Sequence, residues 1–298
     1  MDKKIVCFGE MLWDVFPFGK VAGGAPMNVA LHLHQLKADV TFLSKVGSDQ
    51  AGQDLLSFLQ NHGLRTGHIL VDPSLPTGKV VVDDKDRENV RYQIVHPAAW
   101  DNIIWTDTLQ SKVNQADAIV FGSLATRSEV SRSTLLELLH TATLRVFDIN
   151  LRSPFYSKEG LQDLLSQTDI LKLNEEELQI LIEYYSLPSY PKAAIKELSA
   201  RYNLRLVCVT KGKDGADLYA EDAFFSHPGF VVAVQDTVGS GDAFLAAMVA
   251  GYLDGADYQQ ILENACALGA WVASKKGGTP RHNKEEIENT KLNPKSLS

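Results

Sequence analysis

Cysteine is scarce in this chain. Its 298 residues hold three, Cys7, Cys208 and Cys266, far apart, each in an apolar run and none in a C-x-x-C pair. That excludes a disulfide-stapled miniprotein and fits a reducing compartment. Long hydrophobic runs are missing too: no stretch approaches the roughly 20 apolar residues of a membrane helix. The first apolar run, 5–9, is too short for a signal peptide and is followed at once by Glu10 and Asp14, so a cytoplasmic location is expected. Positive charge is in deficit, with 29 Lys and Arg against 37 Asp and Glu, a formal net charge of -8. Such a chain has no general reason to bind nucleic acid or an anionic membrane, and only a local pocket would take a small anion.

What is present is an ordinary globular composition, 45% hydrophobic and 22% charged, long enough to bury a sizeable core. Short Val/Ile/Leu-rich runs alternate with helically spaced apolar residues. Strands are expected at 4–9, 40–46, 118–122, 145–149, 170–173 and 206–210. Helices are expected at 26–37, 52–62, 129–142, 160–167, 175–185, 192–202, 243–253 and 258–274. The alternation predicts an α/β fold with a mostly parallel sheet covered by helices on both faces. Two places break the rhythm. Residues 79–83 and 89–95 read as an antiparallel hairpin around the turn-like 84–88, and 215–220 with 230–234 reads as a second antiparallel pair. The tail after Asn289 is polar and expected to fray.

The strongest chemical signal is Asp236-Thr237-Val238-Gly239-Ser240-Gly241-Asp242, which opens an apolar helix. Gly239 and Gly241 allow backbone N–H groups to converge, and a helix N-terminus adds partial positive charge at the same point. That is an anion hole suited to phosphate. Asp242 suits two roles there, an N-cap or a base for a bound hydroxyl. A second turn, Gly23-Gly24-Ala25-Pro26-Met27-Asn28, also leads into a helix and lets a small polar ligand approach the backbone, with the Asn28 amide as donor and acceptor. Each motif alone also fits a strand-to-helix turn with a capping residue.

Together, and in this order, the two motifs resemble the signatures of the ribokinase-like, or pfkB, carbohydrate kinases. The resemblance covers nearly the whole chain. Gly47-Ser48-Asp49 with Gly52 is similar to the family's V-G-x-D-x-x-G segment, Asn174-Glu175-Glu176-Glu177 to its N-x-x-E motif, and Thr210-Lys211-Gly212 with Gly215 to its nucleotide-side T-x-G-x-x-G run. No Walker A sequence is present. The resemblance implies a Rossmann-type core spanning 1–298 as one kinase domain, with a lid of about 12–21 and 78–97. It implies Asp242 as the base that frees a sugar hydroxyl to attack ATP, with Gly239, Ser240 and Gly241 forming the hole. Asp14, Gly23, Gly24, Asn28, Asn150 and Arg152 fall where the family binds sugar; Arg152 suits a phosphate or sugar oxygen, or a structural pairing with Asp148. Asn174, Thr210, Lys211, Gly212, Gly215 and Cys266 fall on the ATP side. Asn174 and Glu177 are implied to organise Mg2+, often through water, and Asp236 with the Val238 carbonyl matches a monovalent cation (K+) position of some members.

Gly-Gly-Ala-Pro-x-Asn, preceded by Gly-Glu-x-Leu-x-Asp, is most similar to fructokinases, which implies phosphorylation of D-fructose, at the 6-hydroxyl. Other acceptors (ketodeoxygluconate, ribose, a nucleoside) and a non-catalytic sugar-binding role are the alternatives. Only eight residues separate Asp14 from Gly23, so the lid is expected to consist of the 78–95 hairpin with little else. Trp13, Phe16, Phe18 and Trp100 are placed either in the sugar pocket or between flaps, and Arg87 and Arg91 of the flap have no assigned position. A homodimer formed by pairing flaps is expected, because a lone hairpin leaves edges and apolar faces open.

Overall fold

A computed structural model describes residues 3–83 and 91–295. The first half contains β1 (Lys4–Phe8), β2 (Leu12–Phe16), β3 (Gly19–Gly23), α1 (Ala25–Gln35), β4 (Asp39–Gly47), α2 (Gln50–Asn61), β5 (Ile69–Asp72), β6 (Gly78–Asp83), β7 (Arg91–Ile94), α3 (Asp107–Asn114), β8 (Ala118–Gly122), α4 (Glu129–Leu139) and β9 (Arg145–Asp148). The second half contains α5 (Lys158–Leu165), β10 (Ile170–Asn174), α6 (Glu175–Tyr185), α7 (Pro191–Tyr202), β11 (Leu206–Thr210), β12 (Ala216–Ala220), β13 (Ala223–His227), α8 (Ser240–Leu253), α9 (Tyr258–Ala273) and α10 (Lys284–Thr290).

The main sheet has nine strands in the order β13-β12-β11-β10-β9-β8-β1-β4-β5. From β11 to β5 every pairing is parallel, and only β12 and β13 are antiparallel. Side-chain alternation along β1 shows why the sheet needs cover on both faces. Ile5 and Cys7 point into a core with Met27 and Leu31 of α1, Leu245 and Val249 of α8, and Leu262 of α9. Val6 and Phe8 point into the other, with Leu109, Leu135, Leu161, Leu178 and Leu198 from α3 to α7. Among the described residues no helix is long and apolar enough to cross a membrane.

The smaller sheet has four strands, ordered β3-β2-β6-β7. The expected 79–83 hairpin is present, with β6 antiparallel to β7, but it supplies only half of that sheet. The segment expected to contribute little forms the β2–β3 hairpin, Leu12 opposite Gly23, and joins β6 in parallel. Five-residue strands interrupted by the charged or small Asp14, Gly19 and Lys20 carry too little periodicity to be read in advance. Arg87 lies outside the described residues.

Elsewhere β5, α3 and α10 were not expected. β12 pairs with β13, the strand that follows it immediately, instead of with 230–234; Phe230 there makes only an isolated bridge to Pro294. The tail after Asn289 is tied back, with the Val231 amide donating to the Asn293 carbonyl and the Lys295 amide to Gly229.

Candidate active site

The carboxyl ends of β1, β9 and β10 face the starts of α1 and α8, and the motif residues collect there, where parallel sheets bind ligands. The two glycines of the second motif differ. Gly239 caps α8 with φ 74°, a left-handed conformation, and a Cβ on it would fall 2.3 Å from the Gly278 carbonyl oxygen. Only glycine meets both demands. Gly241, inside the first turn of α8, has no such backbone constraint; a Cβ there would sit 3.2 Å from the Lys172 ammonium. The helix has no side-chain cap. Among the described residues the amides of Gly239, Gly241 and Asp242 have no backbone acceptor, while Ser240 N–H donates to the Thr237 carbonyl at 3.3 Å. The Ser240 hydroxyl donates to the Gly269 carbonyl at 2.9 Å, so its side chain braces α9.

Asp242 is held from the other motif. Asn28 Nδ2 donates to Asp242 Oδ2 at 2.8 Å, a bond across 214 residues of sequence. Burial and the neighbouring Asp148 carboxylate push the Asp242 carboxyl up to about 6, against the pull of Asn28, Lys172 and Arg152. A carboxyl raised toward neutrality has the proton affinity that general-base work requires. Asn28 Oδ1 is buried without a partner, an acceptor ready for a ligand hydroxyl.

The remaining sugar-motif residues converge on the same point. Gly24 is the α1 N-cap at φ 115°, and a Cβ on it would lie 2.6 Å from the Glu10 carbonyl oxygen. Gly23 leaves room for Asp14, whose Oδ2 would be 2.4 Å from a Cβ there. Burial raises the Asp14 carboxyl to about 6, with Arg152 pulling it down. Glu10, read only as part of a motif, is 2% exposed, and its Oε2 has no partner among the described residues. Burial pushes it up to about 7, with Arg152 opposing and Asp242 reinforcing. Arg152 thus lies near enough to lower all three carboxyl groups; its Nη1 donates to its neighbour's carbonyl at Leu151, and among the described residues it makes no ion pair with Asp148. Asn150 sits beyond the end of β9 at φ 37°. Of the aromatics, Trp100 is fully buried in the core under the Arg127 guanidinium, 3.8 Å from its ring centroid. Trp13 donates to the Ala51 carbonyl, and Phe16 stacks on the exposed Phe18.

On the other side of α8 lies a cavity of about 530 Å³ lined by Thr210, Gly212, Gly215, Ser240, Gly241 and Cys266, among others. Gly215, at φ 81°, would place a Cβ 1.9 Å from the His227 carbonyl oxygen. Lys211 turns aside to Asp217 at 3.1 Å. Burial pushes the Cys266 thiol up to about 12, so it offers a small neutral surface. Asn174 and Glu177 lie apart from this cavity lining and form a reciprocal capping box. Asn174 Oδ1 accepts from Glu177 N–H and Glu177 Oε2 from Asn174 N–H, each at 2.8 Å, while Glu177 Oε1 accepts from Leu151 N–H at 2.9 Å. Burial, with Asp148 nearby, raises the Glu177 carboxyl. Among the described residues no group of three His, Cys, Asp or Glu could hold a metal directly. Asp236 braces two loops, accepting from Val238 N–H at 3.0 Å and Gly277 N–H at 3.1 Å.

Sequence reasoning missed that Glu10 and Lys172 are buried at this site. In both cases the signal was a charge next to or within a buried strand, which cannot be there without a reason.

Comparison with known proteins supports the same reading. The profile of the pfkB family carbohydrate kinases matches residues 2–285. Fructokinase-1 of Zea mays is 30% identical over 308 residues, covering 93% of each chain. Among solved structures, fructokinase from Xylella fastidiosa with bound ATP aligns at TM-score 0.83 and 25% identity over 97% of this chain and 98% of that one. A sugar kinase from Pyrococcus horikoshii in complex with ATP aligns at 0.79 and 26% over 96% and 99%. This chain belongs to the pfkB family of carbohydrate kinases, phosphotransferases with an alcohol acceptor.

Proposed function

We propose that the protein transfers the γ-phosphoryl group of ATP to the 6-hydroxyl of D-fructose. The observation that carries this reading is Asp242: half-buried, aligned by Asn28 of the sugar motif, and in the same helical turn as the free amides beside the nucleotide cavity. Asp242 takes the hydroxyl proton as the sugar oxygen bonds to the γ-phosphorus. The bond from that phosphorus to the β-bridging oxygen breaks, and ADP leaves with the electron pair. The amides of Gly239, Gly241 and Asp242 receive the charge spread over the transferring oxygens.

Asp14, Gly23, Gly24, Asn28 and Asn150 bind the sugar, with Asp14 accepting from a vicinal diol. A pocket rich in carboxyl groups suits a neutral polyol better than a phosphosugar. The fructokinase names of the relatives support fructose. Arg152, exposed and near enough to lower the Glu10, Asp14 and Asp242 carboxyls, favours one second reading, an acceptor bearing its own carboxylate such as 2-keto-3-deoxygluconate.

Thr210, Gly212, Gly215 and Cys266 bind the nucleotide. Mg2+ on the nucleotide phosphates supplies charge neutralisation. Glu177 fits it through water, because its two oxygens keep lone pairs beyond those used by backbone amides. Asp236 and the Val238 carbonyl would hold K+; equal rates in sodium and potassium buffers would remove that assignment. The smaller sheet is the lid, and its closure excludes water as a competing acceptor. Its exposed Phe18 and Val21 suit pairing with a second copy, which sedimentation at micromolar concentration checks.

The deciding experiment is ADP release from MgATP with fructose, glucose, ribose, ketodeoxygluconate, adenosine and fructose 6-phosphate. Preference for fructose supports the reading. Preference for ketodeoxygluconate transfers it to the Arg152 alternative, and no turnover with any acceptor in folded protein overturns it.

A further inference from the structure

β10 reads Ile170-Leu171-Lys172-Leu173, with one charge in the middle of a buried parallel strand. Lys172 is 8% exposed, and its ammonium lies 3.0 Å from both carboxylate oxygens of Asp148, its register partner on β9. A buried pair of this kind is weak support for stability, since apolar residues of similar volume often serve as well or better. Its position supplies another reason. The ammonium sits directly behind the first turn of α8, 3.2 Å from where a Gly241 side chain would begin. Gly241 has no left-handed backbone to explain its being glycine. The missing side chain instead lets the charge press against the loop whose amides have no acceptor.

We infer that Lys172 is the fixed positive charge of the anion hole, oriented by Asp148 and admitted by the absence of a side chain at Gly241. The ammonium acts on the transferring phosphoryl group from behind the backbone amides, in a site where a preset charge needs no reorganisation as the reaction proceeds. Asp148 is the positioning residue. The inference rests on reading this loop as the phosphoryl site, and its test separates the two.

The test compares wild type with Lys172→Met and with the double variant Lys172→Met/Asp148→Asn, which removes the orphaned carboxylate as well as the ammonium. Melting curves establish folding. The single variant is expected to melt lower, because Asp148 is left buried and unpaired. Its acid limb of kcat/KM moves to higher pH, because Asp242 loses a cation and keeps an anion. The double variant is expected to recover its melting temperature and its sugar KM to within about threefold, yet turn over about 100-fold slower, the scale of losing one hole donor. Recovery of turnover together with stability would make the pair purely structural and overturn the inference. Titration with ADP plus fluoroaluminate, a planar mimic of the transferring phosphoryl group, needs no acceptor. Wild type should gain affinity when fluoroaluminate is added, and the double variant should lose at least tenfold of that gain. An equal gain in both, or none in wild type, overturns the inference. A gain confined to wild type, with no turnover on any sugar, would keep Lys172 and refute the acceptor assignment.

Discussion

Two helices begin at the same edge of the sheet with acidic residues in their first turns, and they begin differently. α6 is closed: Asn174 and Glu177 satisfy each other's backbone amides, and Glu177 also takes the Leu151 amide. α8 is open: Gly239 in a left-handed conformation caps it, no side chain folds back, and Asp242 turns to Asn28. An acid in the first turn of a helix is thus no sign of function by itself. The start proposed to receive the phosphoryl group is the one whose own carboxylate leaves the amides free for a substrate.

The sharpest way to break this contrast is Asp242→Asn, which leaves the helix start intact and removes the base. Turnover should fall about 1,000-fold with little change in ATP affinity, measured by steady-state ADP release and calorimetry. Near-wild-type turnover would sink the mechanism. Next come the two glycines. Gly239→Ala should lower both turnover, by roughly 100-fold, and stability, by about 1–3 kcal/mol for the forced backbone, with the Gly278 backbone obstructing in addition. Gly241→Ala should leave melting nearly unchanged and slow turnover roughly tenfold, a fraction of a full hole donor.

Asn28→Ala should slow turnover about tenfold and shift the acid limb of the pH–rate profile upward, since Asn28 holds the Asp242 carboxyl down. In wild type that limb should lie near pH 6, with rate falling as Asp242 takes its proton. The raised carboxyl groups should act on stability in the opposite sense over this window. Asp242, Asp14 and Glu10 have folded-state values raised to about 6, 6 and 7, so their native forms gain protons more readily than the unfolded chain. Their contribution to stability rises as pH falls from about 7 toward 5. Burial holds the His32 imidazole down to about 4 and lowers His34, His68, His227 and His282 as well, so these groups oppose the carboxyls as pH falls. The Asp242 share is read by difference: Asp242→Asn should melt above wild type at pH 7 by a margin that narrows toward pH 5.5, and a constant margin would contradict it. The smallest effect belongs to the closed helix. Asn174→Ala should cost about 1 kcal/mol for the lost cap and slow turnover only a few-fold, read from denaturant melts and rates on the same preparations.

The alternating core was legible from its apolar runs, and Asp242, Gly239 and Asn28 from their motifs. What could not be read was pairing. The β2–β3 hairpin and the choice of β13 as partner of β12 depend on which short segment lies next in space, and strands of five residues do not encode that. The Asn28–Asp242 bond, the Asp148–Lys172 pair and the burial of Glu10 are likewise tertiary facts. Composition offered only the hint that Glu10 adjoins, and Lys172 interrupts, an apolar run.

The Asn28–Asp242 bond also sets an order of events in the cell. Asn28 emerges early in synthesis and Asp242 follows 214 residues later. A nascent chain therefore carries the Asn28 turn long before the carboxylate that the turn holds. Under the proposed mechanism a chain still short of Asp242 lacks both its base and its anion hole, so phosphoryl transfer waits on the end of synthesis.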